Sequence, residues 1–168
     1  MDHMNAVELG WEIRPDRAVE LADFFVACVD ASYISHGEMM EGRATYSGTW
    51  SDHFDERMRG EFAQVLENGS TCGVAVARLH GALVGLALVE WAVTGSLPYM
   101  VLSDMVVDRT SRRLGIGRQL LVFIEDQARQ KGMHAMFLES GIRNSDAHRF
   151  FQREGFSVVS LTMMKKLD

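Results

Sequence analysis

The chain has 168 residues and a formal net charge of −6, and 47% of its residues are hydrophobic while 24% are charged. Such a length and composition indicate a packed globular chain with one domain over residues 1–168. The acidic balance argues against nucleic acid as the main partner, because nucleic-acid binders usually carry a basic face. The chain has no long apolar run and no metal-ligand spacing around Cys28 or Cys72. We therefore predict a cytoplasmic protein with no membrane partner and no metal.

The predicted elements follow from apolar periodicity and from turn residues. In chain order they are a strand at 7–14, a helix from 15 to 32–35, an irregular segment at 36–49, a helix at 51–67, strands at 71–79, 82–93 and 99–107, a helix at 117–131, a strand at 135–140, a helix at 145–154 and a last strand at 156–166. His80-Gly81 predicts a tight hairpin between the second and third strands. This order predicts an α+β fold with a mixed, mostly antiparallel sheet flanked by helices.

The loop after the third central strand is the most informative segment. It contains Arg109, Arg112, Arg113 and Arg118 around two glycines, and it leads directly into a helix. The first turn of a helix has amide donors without intrahelical partners, and the helix dipole makes that end positive. Arginines there would be mildly unfavourable without an anion, so the pattern predicts a phosphate-binding loop. The loop lacks the Walker pattern and the third glycine of the dinucleotide fingerprint.

The pattern Arg-x-x-Gly-x-Gly, from Arg112 to Gly117, closely resembles the pyrophosphate loop of the GNAT superfamily of N-acetyltransferases. The preceding Met105-Val106-Val107-Asp108 is similar to the family's strand that ends in an aliphatic residue and Asp. Downstream, a second signature of the family is matched by Asn144, Ala147, Phe150, Phe151, Gly155 and Phe156. The clear match covers about a third of the chain, from Tyr99 to Phe156.

The resemblance implies acetyl-CoA as co-substrate and a GNAT-like fold. Backbone groups of the strand would bond to the pantetheine arm, the loop would hold the pyrophosphate, and the later signature would contact the thioester region and line the cofactor. The residues implicated in this way are Met105, Val106, Val107, Arg112, Arg113, Leu114, Gly115, Ile116, Gly117, Arg118, Asn144, Phe150 and Phe151.

The implied reaction is direct attack of a primary amine of a small molecule on the acetyl thioester, with a peptide or protein as a further acceptor class. An alkyl amine resembles the side chain of Lys, whose pKa is about 10.4, so a base must take its proton. The candidates are Asp104, on the strand before the loop, Glu90, which interrupts an apolar run of the neighbouring strand, and Glu139, at the end of the strand that follows. Glu90 is also compatible with a solvent-facing edge position.

Phe151 stands where the family often has a Tyr that protonates the leaving thiolate, and Phe cannot donate a proton. The CoA thiol can leave as a thiolate, because a thiol of this kind has a pKa of about 8.5. The alternative is a sensor or regulatory module that binds acyl-CoA with little catalysis.

The segment from His36 to Trp50 lies where the family usually builds its acceptor pocket. Its acidic and aromatic residues, Glu38, Glu41 and Tyr46 among them, suit a cation, although an ordinary polar loop explains them equally well. Strand-edge pairing in the C-terminal half is compatible with a homodimer.

Overall fold

The computed structural model describes residues 6–93 and 95–167. These residues form two compact units. The first, the sheet unit, comprises residues 6–29 and 52–139, and the second, the small unit, comprises residues 30–51 and 140–167. Each unit is described below by itself.

The sheet unit contains five strands and three helices. They are β1 (Glu8–Glu12), α1 (Ala18–Cys28), α3 (Phe54–Glu67), β2 (Cys72–Leu79), β3 (Ala82–Ala92), β4 (Tyr99–Val107), α4 (Ile116–Gln130) and β5 (Ala135–Phe137). The strands lie in the order β1-β2-β3-β4-β5, antiparallel except for the parallel β4–β5 pair. The predicted mixed, mostly antiparallel sheet flanked by helices is therefore confirmed.

Local turn chemistry sets the boundaries that the sequence predicted best. His80 and Gly81 have φ values of 51° and 79°, as a tight hairpin between β2 and β3 requires. Gly132, at φ 72°, ends α4: its own amide donates to Arg129, and the Met133 amide donates to Ala128. This pair of bonds is a Schellman motif, which needs a residue of positive φ.

Both faces of the central strands are covered. Val74, Val76, Ala75 and Ala77 of β2 are all buried, so side chains pointing to either side of the strand are removed from water. Helices α1 and α3 pack together through Phe25, whose ring lies 6.1 Å from that of Phe62. Burial of aromatic rings of this size contributes a large share of a core's stability.

The small unit contains α2 (His36–Met40) and α5 (Ser145–Arg153). Gly141 packs tightly against the segment before α2, since a Cβ on it would lie 2.5 Å from the carbonyl oxygen of Ile34 and 2.7 Å from that of Ser32. Helix α5 ends in a second Schellman motif. The Phe156 amide donates to the Phe151 carbonyl, and the Gly155 amide donates to that of Gln152.

Two predicted boundaries near residues 28–49 are wrong. Helix α1 ends at Cys28, because Val29 is extended and Asp30 accepts a bond from the Ser32 amide to start a separate turn. The segment predicted as irregular contains α2, which begins with a capping box between Ser35 and Glu38. Short polar side chains at caps accept hydrogen bonds from backbone amides and so compete with continuation of a helix. The single long helix predicted here is therefore replaced by α1 and a separate short turn.

The predicted last strand, at residues 156–166, is also wrong. Within the part of the chain that the structure describes, residues 156–167 belong to no strand. Val159 and Leu161 are 74% and 81% exposed. Strand propensity requires a paired neighbour to be realised, and this segment has none in the sheet of its own chain.

Candidate active site

A β-bulge between β3 and β4 separates the two predicted carboxylates. The register shifts between Leu88 and Val89, so that Asp104 lies opposite Leu88 while Glu90 lies opposite Val101. Bulges interrupt a ladder and re-aim the side chains beside it. This bulge therefore sets where each carboxylate points.

The carboxylates differ sharply in their surroundings. Asp104 is 2% exposed, whereas Glu90 is exposed and accepts a hydrogen bond of 3.0 Å from the Ser103 hydroxyl. Sequence reasoning did not single out Ser103, because the bond depends on the bulge. Glu90 is thus the carboxylate that solvent and a soluble amine reach directly.

Strand β4 extends well beyond its ladder with β5. The β4–β5 pairing covers Tyr99–Val101, whereas the β3–β4 ladder continues to Val107. Along this extension the side chains of Met105 and Val107 are half-buried, and that of Val106 is buried. The extension leads directly into the predicted phosphate loop.

Asp108 shapes the turn that follows β4. Its amide donates to Val84 at 2.9 Å, and its carboxylate accepts bonds from the Thr110 amide at 3.1 Å, the Thr110 hydroxyl and the Ser111 hydroxyl at 3.2 Å. These bonds, that of the Thr110 hydroxyl first, lower the pKa of Asp108 and keep it ionised. Asp108 therefore acts as a structural cap at this turn.

The loop then turns into α4 through two residues of positive φ. Arg113 has φ 68° and Gly115, the N-cap of α4, has φ 74°. Gly115 has no side chain with which to cap the helix, and the first intrahelical bond runs from the Gln119 amide to its carbonyl. The amides of the intervening residues, Ile116 to Arg118, lie in the first turn, where helices have donors to offer an anion.

Gly85 of β3 fixes the position of this helix end on the sheet. A Cβ on Gly85 would lie 3.3 Å from the Cγ2 of Ile116 and 3.5 Å from the Val106 carbonyl oxygen. Ile116 is 1% exposed and packs with Ala77 and Val84. Sequence reasoning missed this contact, although a glycine inside an apolar strand often marks the close approach of another part of the chain.

The loop exposes positive charge around these amides. Arg112, Arg113, Leu114 and Arg118 are all exposed. Arg112 and Arg113 form no ion pair with any carboxylate in residues 6–93 and 95–167. Uncompensated guanidinium groups beside the positive end of a helix dipole favour a bound anion.

The remaining predicted cofactor residues lie on α5 of the small unit. Asn144 is the N-cap, yet its side chain makes no cap hydrogen bond. The Phe150 and Phe151 rings are half-buried, 5.1 Å apart, and Phe151 lies 5.5 Å from Phe156. Phe151 and Phe156 thus make the apolar contact of the Schellman motif, which gives the Gly155-Phe156 pair a structural reason.

Glu38 of the small unit has a structural role. Its carboxylate accepts bonds of 2.6 Å from both the amide and the hydroxyl of Ser35, lies 3.9 Å from Arg43, and is buried. Its carboxylate therefore caps the start of α2 and is buried away from a cationic acceptor, which favours the alternative of an ordinary polar loop for this residue. Glu41 and Tyr46 remain exposed.

Neither cysteine is suited to form a covalent acyl intermediate. Burial raises the pKa of Cys28 to about 11 and also raises the pKa of Cys72. A thiol becomes a nucleophile as its thiolate, so both side chains are poor nucleophiles at neutral pH.

The part of the chain that the structure describes contains no cluster of three or more His, Cys, Asp or Glu side chains that could hold a metal ion. In residues 6–93 and 95–167, no helix has the length and apolar character needed to cross a membrane.

Comparison with known proteins relates the chain to acetyltransferases. The model of the Acetyltransferase (GNAT) family matches residues 38–156. The chain is 35% identical over 82 residues to an IAA acetyltransferase of Azospirillum brasilense. That alignment covers 49% of this chain and 52% of that protein. The chain is also 38% identical over 66 residues to an aminoalkylphosphonate N-acetyltransferase of Salmonella typhimurium. That alignment covers 39% of this chain and 43% of that protein. The chain therefore spans about half the length of the curated relatives it matches.

Among solved structures, the aminoglycoside N-acetyltransferase AAC(6')-Iy in complex with CoA superposes with a TM-score of 0.71. The match covers 99% of this chain and 98% of that one at 14% identity. At that identity the likeness shows a shared fold.

Proposed function

Because the chain belongs to the Acetyltransferase (GNAT) family, we propose that it transfers an acetyl group from acetyl-CoA to a primary amine of a small molecule. The observation that carries this proposal is the start of α4, where an uncapped first turn lies beside Arg112 and Arg113, which have no carboxylate partner in the described residues. A diphosphate group supplies the anion that this arrangement favours. The names of the aminoalkylphosphonate relative and the aminoglycoside neighbour support an amine as the acceptor.

Acetyl-CoA supplies a preformed acetyl thioester, and the chain's part is to hold and orient it. The first-turn amides and the arginines from Arg112 to Arg118 would bind the pyrophosphate. The β4 backbone at Met105 and Val107, beyond the end of the β5 ladder, would bond to the pantetheine amides and stabilise negative charge on the carbonyl oxygen. The contributions of Asn144, Phe150 and Phe151 remain predictions.

Glu90 is our first choice as the group that takes the amine proton. It is exposed, oriented by Ser103, and reachable by solvent, so it can act directly or through a water. Asp104 is the second choice, because it is 2% exposed and an amine would reach it only after entering the protein. We expect Glu90→Gln to lower kcat about 100-fold or more. Asp104→Asn with a normal protein fold is the comparison, and the larger loss in that variant would reverse the assignment.

Phe151 has no proton to donate to the leaving thiolate. The thiolate can leave without an acid from the chain, because the pKa of its thiol is ordinary. If protonation of the leaving thiolate limits the rate, Phe151→Tyr should raise kcat, because the added hydroxyl can donate a proton. An unchanged kcat would show that departure of the thiolate is not rate-limiting. Binding of acetyl-CoA without turnover of any amine would instead favour the alternative function, a sensor of acyl-CoA.

A calorimetric titration with acetyl-CoA, with ATP and NAD as comparison ligands, tests the cofactor assignment. We expect saturable binding of acetyl-CoA and a loss of about 1–3 kcal/mol of binding free energy in Arg112→Ala, the size of a charge-assisted bond. Arg129→Ala is the matched control, because Arg129 is an exposed arginine at the other end of α4. No heat with acetyl-CoA, or equal losses in the two variants, would refute the loop assignment.

Turnover is then measured with a panel of amines that includes aminoalkylphosphonates, aminoglycosides and peptides with a free amino terminus. Acetylation of small amines supports the proposal. Acetylation of peptides alone would indicate that the acceptor is a peptide or protein instead of a small molecule. The proposal also includes a cytoplasmic location and one domain. The family match runs through residues of both units, which supports the single domain.

A further inference from the structure

Arg143 lies in the turn that precedes α5, and its guanidinium group contacts the other segment of the small unit. Nη2 donates hydrogen bonds to the carbonyl oxygens of Ala31, at 3.0 Å, and Gly48, at 3.4 Å. The turn itself is closed by a bond of 2.8 Å from the Asn144 amide to the Gly141 carbonyl. The side chain is therefore held at its backbone and at its tip, which lowers the entropy that it loses on binding a ligand.

The loop that presents the Gly48 carbonyl is fixed by its own bonds. The Gly48 amide donates to the Thr45 carbonyl at 3.0 Å, and the Thr45 amide donates to that of Thr49 at 2.8 Å. Gly48 has φ 80°, a conformation that favours glycine, and a Cβ on it would lie 3.2 Å from Nη2 of Arg143. Glycine at this position therefore both closes the loop and allows the guanidinium group to approach.

The positive charge of Arg143 is not neutralised by a carboxylate. Arg143 is exposed and forms no ion pair within the described part of the chain. The carboxylates nearest to the contact in sequence bind other groups, since Asp146 pairs with Arg149, and Asp30 accepts bonds from the amide and the hydroxyl of Ser32. The carbonyl bonds use Nη2 alone, so among the described residues the Nε and Nη1 donors have no partner. A fixed cation with unused donors is suited to bind an anion.

The neighbours of Arg143 are the residues of the small unit that bear on the proposed reaction. Asn144, the next residue, is predicted to contact the thioester region. The segment that contains Gly48 exposes Glu41 and Tyr46, and an acidic group and an aromatic ring suit an ammonium group. An acceptor that carries both an amine and an anion therefore finds a group of suitable charge for each in this unit.

We propose that Arg143 determines which amines are acetylated, by binding a carboxylate or phosphonate that the acceptor carries in addition to its primary amine. This inference rests on the proposed transfer of acetyl to small amines and names the class of acceptor. A fixed charge of one sign favours ligands that carry the opposite charge and disfavours ligands that carry the same charge. The chain therefore selects aminoalkyl carboxylates and phosphonates over uncharged amino alcohols.

The ratio of two kcat/KM values tests the proposal. Turnover is measured with an aminoalkyl carboxylate, an aminoalkyl phosphonate and the amino alcohol of the same chain length, and kcat/KM for each anionic amine is divided by that for the amino alcohol. We expect a ratio of about 10–100 in the wild type and about 1 in Arg143→Gln, the effect of losing a charge-assisted bond. Arg143→Lys keeps the charge but loses the planar donor group, so its ratio should lie between these values.

Arg153→Gln is the matched control, because Arg153 is an exposed arginine in the last turn of α5. Its ratio should equal that of the wild type, and circular dichroism establishes that each variant is folded. A higher ratio for either anion supports the proposal, and the larger of the two identifies which anion is bound. The preference should also weaken as salt is added, since the charge of Arg143 is exposed.

The outcomes separate recognition of the acceptor from other roles of Arg143. A structural role lowers kcat/KM for all amines alike and leaves the ratio unchanged in Arg143→Gln, which would overturn the proposal. A weaker Kd for acetyl-CoA in that variant would also overturn it, by assigning the guanidinium group to the cofactor. A wild type that acetylates the amino alcohol as well as the anionic amines would refute this inference alone. No turnover of any amine would refute the proposed function, and this inference with it.

Discussion

Replacement of Glu12 by Gln should destabilise the protein in a way that depends on pH. Glu12 is 7% exposed at the end of β1, where the Arg14 guanidinium donates two bonds to its carboxylate, at 2.9 and 3.1 Å, and the Arg14 amide donates a third, at 3.2 Å. Arg78 approaches the same carboxylate at 3.5 Å and also pairs with Glu20. The bonds from Arg14, followed by the charge of Arg78, lower the pKa of Glu12 from 4.5 to about 2, against the opposing effect of burial.

The magnitude follows from this pKa. A fall from 4.5 to about 2 corresponds to about 3 kcal/mol in favour of the ionised folded state. The Arg14 side chain is 52% exposed, so solvent screens its share of the interaction. We therefore expect Glu12→Gln to lower the free energy of unfolding by about 1–2 kcal/mol at neutral pH.

The direction of the pH dependence is fixed by the same shift. Because the pKa is depressed in the folded state, the stabilisation is complete above the unfolded pKa of about 4.5 and is lost as the pH falls towards 2. Urea unfolding of wild type and variant should show a difference that is full at neutral pH and clearly smaller at about pH 3. Glu8→Gln, on the same strand but exposed, should stay within about 0.5 kcal/mol of wild type. A Glu12 difference that is constant with pH, or absent at neutral pH, would refute the reasoning.

Three substitutions test the packing. Gly141→Ala should lower the urea midpoint by the equivalent of about 1–3 kcal/mol, because its Cβ would meet the carbonyl oxygens of Ser32 and Ile34. Gly60→Ala, at an exposed position of α3 with open space around it, should raise the midpoint by the equivalent of about 0.4–1 kcal/mol. Met58→Ala should cost about 2–5 kcal/mol in the same assay, because Met58 is fully buried and its loss leaves a cavity. A Gly141→Ala midpoint at or above that of Gly60→Ala, or a neutral Met58→Ala, would contradict the packing described.

The elements that the sequence predicted well depend on local interactions. The bounds of β4, Tyr99–Val107, agree with the prediction at both ends, and α4 begins and ends within one residue of the predicted 117–131. Apolar periodicity and the glycine at 132 act over a few residues, so they can be read without knowing the neighbours. The errors fall where polar caps compete, at Asp30 and Ser35, and where a strand needs a partner, at residues 156–166.

The site shows the same division between features set by a short segment and features that depend on distant parts of the chain. The Arg112–Gly117 pattern and the net charge predict an anion loop, because the amides of a helix start and the charges beside it are properties of a short segment. The roles of the carboxylates could not be read in this way. Glu38 and Glu90 are both acidic residues near apolar runs, yet one is buried in a capping box and the other is exposed beside Ser103.

The sequence by itself determined the order of strands β1 to β5 and of the helices α1, α3, α4 and α5, the phosphate-loop pattern and the family resemblance, since each rests on spacing within a short stretch. Only the tertiary structure decided the bulge that separates Asp104 from Glu90 and the close packing of Ile116 against Gly85. It also decided the pairing of Glu12 with Arg78, and it left residues 157–167 exposed. These features join residues far apart in the chain, and their energies depend on strand register and burial, which no local pattern encodes.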